Sequence, residues 1–145
     1  MSSATSGDRY LLYLQPAMQD IAQLDDSLLA PIQSEIEKFL SMWDVSKLFA
    51  KTPTSHLGQI KKDRSDVRAF GSYWNAGDVH VLLVLALYKK SHESEYWSRV
   101  PQFSARAESY HEELDKHAAE GDIRDALENF RGRPNYHLVG PESPY

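Results

Sequence analysis

The chain's longest apolar run ends in side chains that can move protons or hold negative charge. After VHVLLVLAL come Lys89, Lys90, His92, Glu93, Glu95 and Tyr96. A second basic group, Lys61, Lys62, Arg64 and Arg68, lies a short distance upstream. Imidazole and carboxylate suit general acid–base work, and ammonium and guanidinium suit stabilisation of an anion. A rigid strand that delivers such groups at its exit is one way to build a site. By residue type alone the same stretch is an ordinary solvated strand end with surface lysines, so its meaning rests on what positions it.

The run beginning at Val79 is rich in Val and Leu and is predicted to be a strand buried on both faces. Asn75-Ala76-Gly77-Asp78 reads as a hairpin loop, and Val67 to Asn75 as the preceding strand. Strands joined that way are antiparallel, which sets Arg68 beside the exit, near Lys89 and Lys90. Leu57 to Lys62 reads as a short strand and Arg64-Ser65-Asp66 as a turn. Upstream, Arg9 to Leu14 reads as a first strand, and Pro16 opens a short helix carrying Met18, Ile21 and Leu24. Asp25-Asp26-Ser27 reads as a break. A clearer helix runs from about Pro31 to Trp43, with Ile32, Ile36, Phe39, Leu40 and Trp43 on one stripe. Residues 45–57 read as irregular.

After Trp97 the pattern turns helical. Pro101 opens a helix with Phe103, Ala107, Tyr110 and Leu114 in period. Gly121 caps it, and Asp122 begins a second helix ending at Gly132. The order β-α-α-β-β-β followed by helices predicts a small α+β domain with an antiparallel sheet. The expected divisions are a disordered tail over residues 1–8, the α+β domain over 9–100, a helical extension over 101–132 and a flexible tail over 133–145.

Composition narrows the classes. The 145 residues suit one domain, and 41% hydrophobic with 11% aromatic residues argues against wholesale disorder. There are no cysteines, which removes disulfides and thiolate metal sites and is compatible with a reducing cytoplasm. Residues 2–8 carry no secretory signature, and no apolar run approaches the roughly 20 residues of a membrane helix. A cytoplasmic protein with no cofactor is expected. The net charge of −5 argues against binding nucleic acid by overall charge, although a local basic face remains open.

Three pieces in order, the basic run IKKDRSDVR entering a strand, the strand VHVLLVLAL and the exit KKSHESEYW, resemble the RelE/ParE superfamily of bacterial and archaeal toxins, most nearly its RelE and HigB-like branches. The resemblance covers roughly Arg9 to Trp97. It implies a toxin of a toxin–antitoxin system that cleaves messenger RNA, usually on the ribosome, and is silenced by an antitoxin protein. Cleavage by 2′-hydroxyl transesterification needs a base, a cation for the phosphorane and an acid for the departing 5′-oxygen. By resemblance, Arg68 and Lys90 occupy the phosphate-binding and charge-stabilising positions. Lys61 and Lys62 lie where the family places further lysines, and Arg64 and Lys89 extend that RNA-facing set. Tyr96 matches the closing tyrosine, which stacks on a base or takes part in proton transfer. His92 or Glu93 would be the general base.

A second function class stays open: a non-catalytic protein of the same fold that binds a protein target, as ParE relatives bind gyrase. The acidic balance favours it. A third reading has the C-terminal helices covering the antitoxin groove. Elsewhere, His111 and Asp115 share a helix face, but His117 lies about 240° further around from His111, so this reads as a polar helix face rather than a metal site. His56 and His80 stand alone, and Ser55-His56 has no nucleophile signature.

Overall fold

The computed structural model describes residues 7–42 and 44–141. Along the chain come strand β1 (Asp8–Tyr13), helices α1 (Gln15–Ala22) and α2 (Asp26–Glu37), strands β2 (Lys51–Thr54), β3 (Leu57–Lys61), β4 (Val67–Ala76) and β5 (Val79–Lys89), helices α3 (Glu93–Trp97), α4 (Val100–Glu120) and α5 (Ile123–Glu128), and strand β6 (His137–Val139). The class is α+β. The strands form one six-stranded sheet in the order β2-β3-β4-β5-β1-β6. The sheet is mixed rather than purely antiparallel, because β1 returns to β5 through a long crossover and pairs with it in parallel.

Helices cover both faces. Leu11, Leu82 and Val84 point towards α1 and α2, where they meet Ala17, Leu29, Ile32 and Ile36. Tyr10, Leu12, Phe70, Leu83 and Tyr88 point the other way, against Phe103, Ala107 and Leu114 of α4 and Ile123 and Leu127 of α5. The C-terminal helices therefore supply one of the two cores. Strand β5 is buried along almost its whole length, as its continuous apolar sequence predicts.

A bulge in β5 sets up the site. Phe70 pairs with Ala86 and Gly71 with Val84, leaving Leu85 as the extra residue. Leu85 and Ala86 then join the same core cluster, and the alternation beyond them is reversed. Tyr88 is thereby turned towards α3 and α4, and Arg68, opposite Tyr88 in the ladder, faces the same way.

Several local readings differ, among them the end of α5, which lies at Glu128 and not at Gly132. Helix α2 begins at Asp26, not near Pro31, and carries Pro31 inside it. Burial of Leu29 and Ile32 outweighs the hydrogen bond that the proline ring omits. Lys51–Thr54, read as irregular, is an edge strand, where Pro53 forgoes no interior ladder bond. His137–Val139, in the stretch read as a tail, pairs antiparallel with Leu11–Tyr13. Trp43, assigned to the apolar stripe of α2, lies outside the described residues. Gly121 ends α4 at φ 80°, the left-handed cap expected there.

Candidate functional site

Arg68 leaves β4 beside the exit of β5 and meets Glu93, the first residue of α3, in a charge-assisted hydrogen bond. Gln59 of β3, fully buried, braces the pair: its Nε2 donates to Glu93 Oε2 at 3.0 Å and to the Tyr88 hydroxyl at 2.8 Å. The Arg68 side chain is 14% exposed and that of Glu93 31%, so the pair sits at the rim of the core. Partial burial pushes the Glu93 carboxyl up, but the bonds from Arg68 and Gln59 and the Arg68 charge outweigh it and hold it below the ordinary range. Arg68 Nε and Gln59 Oε1 are buried and have no hydrogen-bond partner among the described residues.

Tyr96 stands one turn along α3 on the same side of the sheet. Its ring stacks on Tyr88 with centroids 4.8 Å apart, and the Arg99 guanidinium lies 5.2 Å above it. Its hydroxyl donates to Asp20 Oδ1 of α1 at 2.8 Å, and Asp20 Oδ2 accepts the Leu87 N–H at 2.9 Å. The ladder of β1 on β5 runs only to Tyr13–Val84, so the Asp20 carboxylate satisfies a β5 N–H that no strand reaches. Burial raises the Asp20 carboxyl despite the bonds from Leu87 and Tyr96. Burial, then the bond and charge of Asp20, push the Tyr96 phenol up to about 12.

The remaining candidates form a basic fringe at this end of the sheet. Lys61 lies opposite Arg68 in the ladder and is exposed. Lys62 reaches Glu35 of α2 at 3.7 Å. Arg64 sits in the turn between β3 and β4 with φ 68°, a conformation that costs a non-glycine residue. Lys89 and Lys90 are exposed and line a cleft of about 570 Å³ with Leu28, Asp66 and Ser91. The Lys90 N–H is tied to the Asp66 carbonyl at 2.6 Å. His92 lines a smaller cleft of about 120 Å³ with Asp20, Leu87, Tyr88 and Tyr96. The fold thus joins Arg68 to Glu93, sets Tyr96 beside them through Tyr88, and leaves Lys90 in a separate cleft with Leu28 of α2.

Sequence reading passed over Gln59, Tyr88 and Asp20. Gln59 carried a signal, being a polar residue in an otherwise apolar short strand. Asp20 carried none, because its partners lie far along the chain. Among the described residues, His117, Glu120 and Asp122 bring one ligand atom each within 4.8 Å of one another. The imidazole is already hydrogen-bonded through Nδ1 to Asp122 at 3.0 Å, and its Nε2 lies 3.6 Å from Glu113, which makes this a polar cluster at the end of α4. No described helix is long and apolar enough to cross a membrane.

Comparison with protein-family models, with curated proteins and with solved structures found no match.

Proposed function

We propose that the protein is a RelE-like toxin that cleaves messenger RNA by 2′-hydroxyl transesterification. The observation that carries this reading is the pairing of Arg68 with Glu93, with the buried Arg68 Nε still an unfilled donor, at the sheet end fringed by Lys61, Lys62, Arg64, Lys89 and Lys90. The chain order β1-α1-α2-β3-β4-β5 also suits a RelE-like core, with β2 inserted before β3.

In this reading a phosphodiester displaces Glu93 from Arg68. The guanidinium then holds two phosphate oxygens, and Glu93, relieved of its partner, regains basicity and takes the 2′-hydroxyl proton; His92 is the other candidate for that step. The 2′-oxygen attacks phosphorus, the bond to the 5′-oxygen breaks, and a 2′,3′-cyclic phosphate remains. Tyr96 stays protonated at neutral pH, so it serves as a stacking platform or as the acid for the 5′-oxygen and not as the base. Lys90 and Lys89 would anchor the flanking backbone. An antitoxin protein would silence this end of the molecule, and the cytoplasm, with or without the ribosome, is the expected setting.

A short RNA carrying a single 2′-deoxynucleotide at the cleaved position tests the reading. With ribosomes present, the all-ribose strand is expected to be cut to a cyclic phosphate and the deoxy strand to stay intact at that position. The net charge of −5 favours the second reading, a non-catalytic member of the same fold that binds a protein target. Under that reading neither strand is cut.

A further inference from the structure

Four residues up β4 from Arg68, about 13 Å along the strand, a second set of reactive groups surrounds Ser72. Its side chain faces α4, and its Oγ lies 2.7 Å from His111 Nε2. Ser72 also lines a cavity of about 560 Å³, with Val45, Phe49, His56, Leu57 and Tyr73 among its walls. Burial, then the neighbouring His56, push the His111 imidazole below its ordinary value, so the ring is neutral at pH 7 and its Nε2 can accept the Ser72 proton. His56 meets His111 edge-on, with ring centroids 5.2 Å apart. One helical turn further, Asp115 is fixed by the Trp74 indole N–H at 2.9 Å, and its charge favours an imidazolium at His111.

A donor for a developing oxyanion is also on hand. The β3–β4 ladder ends at Gly58–Gly71, and the next hydrogen-bonded pair, two residues on, would join His56 to Tyr73. The His56 N–H instead turns back to Thr54 Oγ1 at 3.2 Å. The Asp66 carbonyl bonds across to Lys90, so even-numbered β4 residues direct their backbone groups at β5 and odd-numbered ones at β3. The Tyr73 N–H therefore points off the sheet edge where β3 has ended, on the side of the cavity. It follows the serine directly in sequence, the place from which many serine hydrolases draw one oxyanion donor.

We propose that Ser72 and His111 form a nucleophile–base pair that hydrolyses small acyl esters held in this cavity. Ser72 Oγ attacks the ester carbonyl carbon while its proton passes to His111 Nε2, and the Tyr73 N–H takes the oxyanion. The carbon–oxygen bond to the alcohol breaks, and the alcohol leaves with the proton from His111. Water then attacks the acyl-serine, giving its proton to His111, which returns it to Ser72 as the carboxylic acid departs. Leu57, on the α4 face beside Ser72, gives an apolar wall for a short acyl chain, and Asp115 and His56 act as positioning residues.

The test uses the full chain with 4-nitrophenyl acetate and butyrate, and with an alkyl fluorophosphonate followed by peptide mass mapping. The expected results are a phosphonyl adduct on Ser72, ester turnover that falls at least about 100-fold in Ser72→Ala and in His111→Gln, and full turnover in Arg68→Ala and His117→Gln. Retention in Arg68→Ala separates this activity from RNA cleavage. Turnover that survives Ser72→Ala, or that His117→Gln removes equally, would show ordinary surface imidazole catalysis and overturn the proposal. Absence of an adduct on wild-type Ser72 overturns it without relying on any variant's folding, and leaves the Ser72–His111 bond as a packing contact between β4 and α4.

Discussion

The phenol of Tyr96, on α3, is hydrogen-bonded at 2.8 Å to the carboxylate of Asp20, on α1, across the stretch of β5 that β1 does not cover. One side chain thereby ties the helices of the two faces together at the end of the sheet where the candidate site lies. Removing Asp20 also strands the Leu87 N–H. Asp20→Ala is expected to destabilise the fold by about 1–3 kcal/mol, and Tyr96→Phe by about 1 kcal/mol. Urea unfolding at neutral pH measures both, and equal losses would show that the Leu87 bond contributes nothing.

The Arg68–Glu93 pair predicts a pH dependence of stability. The Glu93 carboxyl is lowered in the folded state. Its contribution is therefore complete above the unfolded value of about 4.3 and is lost as pH falls through the lower, folded value. Glu93→Gln should flatten the stability profile in that acid window and leave the slope near neutrality unchanged. A profile identical to wild type there would mean that the pair is not formed in solution.

Arg64 is the one described non-glycine residue at positive φ. Arg64→Gly is expected to raise stability by up to about 1 kcal/mol, because glycine takes that conformation without the side-chain clash. Thermal unfolding tests it. If Arg64 also holds an RNA phosphate, the same variant should weaken RNA binding and flatten its salt dependence, so that a more stable protein binds less well.

Leu127 of α5 is fully buried against the face of the sheet that carries Tyr88. Leu127→Ala should cost about 2–5 kcal/mol, as much as truncating a central strand residue such as Leu83. A cost near zero would mark α4 and α5 as a detachable cover. The size of this effect also decides how a deletion from Pro101 onward is to be read, since such a deletion removes one of the two cores.

What could be read in the sequence follows from where each signal resides. The apolar run of β5 and the hairpin at Asn75–Asp78 are local patterns, and they place Arg68 beside the exit of β5 as the ladder does. The Gly121 cap is local too. The start of α2 was hidden because Pro31 reads as an opening residue, whereas long-range burial of Leu29 carries the helix through it. Strand β2 was hidden by Pro53, which only an edge position tolerates. The bulge at Leu85 leaves no mark in a uniformly apolar run, yet it turns Tyr88 towards Gln59 and Tyr96. His111 read as part of a polar helix face, and only the packing of α4 on β4 brings it to Ser72.

Messenger cleavage at the Arg68 end of the sheet can be read in living cells. Wild-type protein and the Arg68→Ala/Lys90→Ala double variant are expressed in a bacterial host, growth is followed, and the ends of cellular RNA are mapped. Growth arrest with new messenger cleavage sites is expected for wild type, and neither for a double variant that is folded and present at the same level. Growth arrest without new RNA ends, or cleavage that persists undiminished in the double variant, would rule out RNA cleavage by Arg68 and Lys90.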